Sequence, residues 1–453
     1  MDAPIRLTDA QMRQYIADGY IALDVGLPRS FHDDVYATTH DVFEKEGNPG
    51  NNVLPRIPAL REVYGHPVVD GALRSVLGDG YYMHPHRHCH HNPPGSPGQT
   101  MHIDSWARRR HTTRMVMVFY YPQDTPAERG PTGVVAASHP YNDRPEGDPR
   151  WDELKLVGDA GTVVLVHYDI WHRGTPNTTD EPRYMMKFLF SRMDEPTQPT
   201  WDATGDAWQD DTGLHPAMRE TLWNWHTGAP NAAGGAESTD VASLLTGLGA
   251  ESETQALDAA YEIAGAGADI VPALVDKLSD ESARVWRGAG YALSSIGAPS
   301  VDALVAATES DDASTRDRAA AVIGDIGMPA AAATSTLVDL LKDDDTTVRQ
   351  HAANALGIVA QGSGEAIRPL IGALDDGDEW VRRFASMSIA QLAPNMNGEL
   401  DALTPALGDD NRYVRANTMF ALRRAGTDAA RERLLDELAV ARWCPTTTRE
   451  TTF

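Results

Sequence analysis

Gln99-Thr-Met-His-Ile-Asp-Ser-Trp106 sets His102 two residues before Asp104, and His172 follows seventy residues later in Asp169-Ile-Trp-His-Arg-Gly174. Alternate residues of an extended strand point to one side, so His102 and Asp104 can reach a common ion from one strand. A second histidine supplied from elsewhere completes a 2-His-1-carboxylate set. Such a set holds one face of a non-haem Fe(II) and leaves the opposite face open. The stretch predicts a strand over residues 100–106 inside a β-rich domain built around a metal.

The surrounding sequence fits that frame. In residues 7–23, Thr8 or Asp9 caps a helix whose apolar face holds Met12, Tyr15 and Ile16; Gly19 ends it and a strand begins at Tyr20. Residues 72–77 read as a helix closed by Gly78. Segments at 81–91, 100–106, 115–121, 132–136, 161–167 and 184–191 read as short strands separated by Gly and Pro turns. Short strands in that order predict a β-sandwich or jelly roll with flanking N-terminal helices. One face of the 115–121 strand lines the pocket, with its register open.

The second half follows a different grammar. Fifteen of the sixteen histidines precede residue 227, and Gly228-Ala-Pro-Asn-Ala-Ala-Gly-Gly-Ala-Glu-Ser238 reads as a linker of small residues. Beyond it Thr347-Val-Arg-Gln-His-Ala-Ala-Asn-Ala-Leu356 has counterparts in Trp380-Val-Arg-Arg-Phe-Ala-Ser-Met-Ser-Ile389 and Tyr413-Val-Arg-Ala-Asn-Thr-Met-Phe-Ala-Leu422. The equivalent positions Trp286, Arg316, Arg349, Arg382 and Arg415 are 30, 33, 33 and 33 residues apart. Two short helices per unit at this period make an α-solenoid. Acidic turns such as Asp343-Asp-Asp345 separate the helices, and the arginine opening each second helix is expected to bond an acidic turn of a neighbouring repeat. A di-iron site of the kind built from His-Glu pairs on successive repeats is excluded, because His351 precedes Ala352 and is the only histidine of the repeats.

Composition narrows the partners. A formal charge of −26 over 453 residues argues against nucleic acid and anionic membrane surfaces. No segment is apolar for long enough to span a membrane, and the first residues lack the basic and apolar regions of a signal peptide. Two cysteines, Cys89 and Cys444, make no disulfide framework, so a cytoplasmic location is expected.

Several features together resemble the phytanoyl-CoA dioxygenase family over roughly residues 5–195. They are the opening helix-Gly-Tyr-strand, Asn92-Pro-Pro-Gly-Ser96 before the His-x-Asp pair, Gly130-Pro-Thr132 leading to Ala137-Ser-His139, and His172 with Asn177 and Arg183. The repeats are similar to HEAT-like repeats of the phycobilisome-lyase type. The chain is thus expected to be multidomain: an N-terminal double-stranded β-helix (jelly roll) with flanking helices over 1–226, a linker over 227–240, an α-solenoid of HEAT-like repeats over 241–440 and a tail over 441–453.

The resemblance implies Fe(II)- and 2-oxoglutarate-dependent oxidation by O2, with succinate and CO2 as coproducts. His102, Asp104 and His172 become the iron ligands. Arg183, eleven residues after His172, takes the distal carboxylate of 2-oxoglutarate; a surface ion pair with Asp180 or Glu181 is the competing role. Related halogenases carry Ala or Gly at the carboxylate position, so Asp104 points to hydroxylation of a small organic substrate. His90 in the histidine-dense 82–92 stretch, Trp106, Arg108 and Trp171 are the expected substrate contacts. The competing reading is an interaction protein whose repeats do the work, with a degenerate barrel, or a protein hydroxylase whose repeats present the target.

Overall fold

A computed structural model describes residues 3–105, 110–209, 213–229, 240–396 and 398–440. The chain divides into two compact units. One comprises Met1–Gly213 and Leu222–Gly228; the other comprises Leu214–Thr221 and the chain from Ala229 onward. The helix Pro216–His226 contributes residues to each.

The first unit opens with helix α1 (Asp9–Asp18). Thr8 accepts from the Gln11 amide while the Gln11 side chain reaches back to Thr8, a reciprocal cap that satisfies two orphan amides. Gly19 ends the helix at φ +77°, and a Cβ there would lie 2.5 Å from His139 Nδ1, so only glycine fits. Helices α2 (Arg29–Glu46) and α3 (Pro67–Leu77) follow before the main sheet is completed.

Among the described residues eight strands form two sheets: β1 (Tyr20–Leu23), β2 (Tyr82–Asn92), β3 (Met115–Tyr120), β4 (Thr132–Val134), β5 (Leu154–Lys155), β6 (Val163–His167), β7 (His172–Gly174) and β8 (Arg183–Ser191). The larger sheet runs β1-β6-β3-β8-β2 with every pair antiparallel, and the smaller runs β5-β4-β7. Met117, Phe119, Val164, Val166, Met185 and Leu189 of the large sheet pack with Val134 of the small one, so the core lies between two facing sheets. This is a jelly-roll arrangement. Strand β8, between β3 and β2, is buried along its whole length: Tyr184 and Phe188 pack outward on helical residues such as Phe43 and Tyr64, while Arg183, Met185, Lys187 and Leu189 turn inward.

One predicted strand is absent. Residues 100–105 form no ladder; His102 makes a single antiparallel bridge to His172, and Asp104 lies in a bend. A strand needs a continuous partner, and β7 is only three residues long. Its flank is met by the Gln99 and His102 amides, which donate to Gly174 and His172 carbonyls at 2.8 and 2.9 Å.

In the second unit, helices α4 (Ala283–Ile296), α5 (Ala313–Ile326), α6 (Thr346–Val359), α7 (Glu379–Leu392) and α8 (Arg412–Ala425) are the second helices of successive repeats. Alanines of neighbouring helices, such as Ala320, Ala353 and Ala385, are fully buried, which lets the helices approach closely. The acidic turns serve twice. Asp312, Asp345 and Asp378 cap their helices, and Asp343 and Asp376 accept from Arg316 and Arg349 at 2.7 and 2.8 Å. Arg382 repeats the contact on Asp409 at 2.8 Å. At the first rung both partners change together: Trp286 replaces the arginine, Ser310 stands in the acid's place, and Arg318 lies over the Trp286 ring at 4.6 Å. No described helix is long and apolar enough to cross a membrane.

Candidate metal centre

His102, Asp104 and His172 converge although neither the bend nor the three-residue strand is regular. One ligand atom from each lies within 4.8 Å of the others. The two imidazoles are oriented by the backbone: His102 Nδ1 lies 2.8 Å from Thr100 O and His172 Nδ1 lies 3.0 Å from Ile170 O. A carbonyl can only accept, so each Nδ1 carries the proton and each Nε2 offers its lone pair to a metal. Burial pushes His172 down to about 4, which keeps it neutral and able to ligate near pH 7. Burial would raise the Asp104 carboxyl, but the nearby Lys187 ammonium and His172 outweigh it and hold the group at about 2. Phe119 of β3 lies beside His172 with ring centroids 6.2 Å apart, which fixes the register left open by the sequence.

Arg183 begins β8 and is only 2% exposed. Nε donates to Gly130 O at 2.8 Å and Nη1 to His90 O at 3.3 Å. Among the described residues no carboxylate pairs with it; Glu181, the competing partner suggested by the sequence, binds Arg129 at 2.8 Å. A buried guanidinium with carbonyl partners and no anion is incompletely compensated.

Residues 33–185 match the family model of phytanoyl-CoA dioxygenase (PhyH), and residues 301–390 match that of HEAT repeats. The first unit carries a PhyH domain. No curated protein matches the chain. Among solved structures, SnoK, a non-heme alpha-ketoglutarate-dependent carbocyclase from nogalamycin biosynthesis, is 19% identical with a TM-score of 0.35, covering 43% of this chain and 88% of that one. EctD from S. alaskensis, solved with 2-oxoglutarate and 5-hydroxyectoine, is 18% identical with a TM-score of 0.35, covering 42% and 78%.

The inner wall of the PhyH domain holds further polar groups. His86, His88 and His90 of β2 form a column, with ring centroids 4.9 and 4.5 Å apart in succession. Burial drives His88 down to about 4 and His90 well below its ordinary value, so both are neutral. Among the described residues buried His90 Nε2 has no hydrogen-bond partner, and the His90 ring lies close enough to Arg183 and Asp104 to feel their charges. Trp171 is half-buried and donates from Nε1 to Tyr141 O at 3.3 Å, anchored beside His172. Trp106 and Arg108 lie outside the described residues.

One site residue escaped the sequence reading. Lys187, 3% exposed, donates to Asp104 Oδ2. The signal was present: Arg183-Tyr-Met-Met-Lys-Phe-Leu-Phe-Ser191 contains a single interior charge, four residues from Arg183 and therefore on the same face of a strand.

Proposed function

We propose that the PhyH domain is an Fe(II)- and 2-oxoglutarate-dependent dioxygenase that hydroxylates a C–H bond of a small organic substrate. The observation that carries this is the conjunction of three converging ligand atoms with a buried arginine that meets no carboxylate among the described residues. The donor set fits the metal: two imidazoles whose Nδ1 is held by a backbone carbonyl, leaving Nε2 to ligate, and one ionised carboxylate suit a redox-active Fe(II) and leave half its coordination sphere for other ligands. Bound there, Fe(II) would activate O2 while 2-oxoglutarate is oxidised to succinate and CO2.

The protein's own part is placement. His102, Asp104 and His172 would hold the ion on one face. Arg183, pinned by two backbone carbonyls, would present its fork to the distal carboxylate of 2-oxoglutarate, which supplies the missing anion. His90 Nε2 gives a neutral hydrogen-bonding group on the cavity wall for substrate or cosubstrate. Buried Phe119 beside His172 limits water at that edge of the site. Asp104 fills the position that a halide would need, which favours hydroxylation; desaturation or ring formation would use the same ligands. The HEAT-like repeats are proposed as a surface for a protein partner, and the cytoplasm as the location. Intact His102, Asp104, His172 and Arg183 weigh against a degenerate barrel.

Anaerobic addition of Fe(II) and 2-oxoglutarate should produce a charge-transfer absorption band, and admission of O2 should release succinate slowly without added substrate. Absence of both the band and succinate would sink the enzyme reading.

A further inference from the structure

Lys187 is one of only five lysines in the chain, and it is buried on the inner wall with its ammonium bonded to Asp104. Strand pairing sets it opposite His88 of β2, while Arg183 lies four residues earlier on the same face, roughly 13 Å along the strand. Lys187 thus grips the carboxylate that a divalent ion would have to share. An ammonium in that place has two opposed effects on metal binding. It orients the carboxylate, and a charge-assisted hydrogen bond contributes only modestly to net stability. It also sets a positive charge a few ångströms from an incoming dication beside a carboxylate that is only 20% exposed, and Coulomb repulsion there exceeds that contribution. Repulsion wins. Towards an anion the sign reverses: a dicarboxylate approaching the metal-loaded site gains from the same charge.

We infer that Lys187 sets the balance between metal and anion in this site, weakening divalent-ion binding to the protein and strengthening binding of an anionic cosubstrate to the metal-loaded protein. The inference rests on His102, Asp104 and His172 being the metal ligands. Lys187 acts through Asp104 and the local field, so it is a positioning residue.

Calorimetric titration of the full chain with Mn(II), followed by 2-oxoglutarate at saturating Mn(II), tests it. Lys187→Met should bind Mn(II) at least tenfold more tightly and 2-oxoglutarate at least tenfold more weakly than the unaltered protein. Lys187→Gln keeps a hydrogen-bond donor without the charge and should show the same crossed shift. Lys187→Arg should leave both constants within about threefold, because the charge is retained. A merely structural lysine would weaken both bindings together, so constants that fall in parallel, or do not move, overturn the inference. Far-UV circular dichroism of each variant identifies any that has not folded, and either neutral variant suffices for the comparison. Failure of the ligand assignment looks different: the unaltered protein would take up no Mn(II), or His172→Ala would bind it equally well.

Discussion

Arg349 of the repeats and Arg183 of the barrel are both drawn from the turn or edge of an element, yet they meet different fates. Arg349 finds Asp376, twenty-seven residues on, at 2.8 Å and also bonds the Asp343 carbonyl at 2.8 Å, so its charge is answered within the neighbouring repeat. Arg183 is buried more deeply and finds carbonyls but no carboxylate among the described residues. The contrast extends to histidine: His351 is bonded to Asp317, whereas His90 Nε2 has no partner among the described residues. Groups that a fold satisfies internally hold it together. At Arg183 and His90 the incomplete groups lie close to Asp104, where a ligand would complete them.

That contrast can be broken by mutation, and the largest effect belongs to the metal centre. His172→Ala should abolish the charge-transfer band and reduce succinate release by about 100-fold or more, since two remaining donors cannot hold the ion on one face. An unchanged band would separate His172 from the centre. Arg183→Met should come next, weakening 2-oxoglutarate by roughly 100-fold through loss of a desolvated charge pair, while Mn(II) affinity stays near that of the unaltered protein. A loss confined to metal affinity would assign Arg183 a purely structural role.

In the repeats the effects should appear as stability. Leu356→Ala removes a fully buried side chain of α6 and should cost about 2–5 kcal/mol, read as a lower denaturant midpoint. Arg349→Ala should cost only about 1 kcal/mol, because the pair is partly solvated. A larger loss than Leu356→Ala would mean that the ladder, and not the alanine core, carries the solenoid.

The smallest effect is a pH dependence. The Arg316 hydrogen bonds hold Asp343 below its ordinary value, and at Asp376 those from Arg349 outweigh burial, which alone would raise it. A carboxylate whose folded value is depressed stabilises above its unfolded value, near 4, and loses that contribution as pH falls through the folded value. The thermal midpoint of the repeat unit should therefore be flat above about pH 5 and drop below about pH 4, less steeply in Arg349→Ala. A drop equally steep in that variant would assign the acid lability to other groups.

Much of this was legible in the chain itself. The helix ending at Gly19 and most of the barrel strands were readable because capping and period-two alternation depend on near neighbours. The repeat period was readable because five copies of one pattern average out local accident. The strand expected at 100–106 was misjudged for the complementary reason: extended structure needs a partner, and Asp104 lies beyond the end of β7. Spacing nevertheless pointed to His102, Asp104 and His172 as a possible set, and the family resemblance added Arg183.

What the amino-acid sequence determined by itself was periodicity, punctuation and the choice of chemistry-bearing residues, since these rest on interactions within a few positions or on exact repetition. Tertiary structure alone decided that Arg183 meets no acid among the described residues and that Lys187 reaches Asp104 across eighty-three residues. Both facts depend on strand register and on which face turns inward, and a one-residue slip would reverse them.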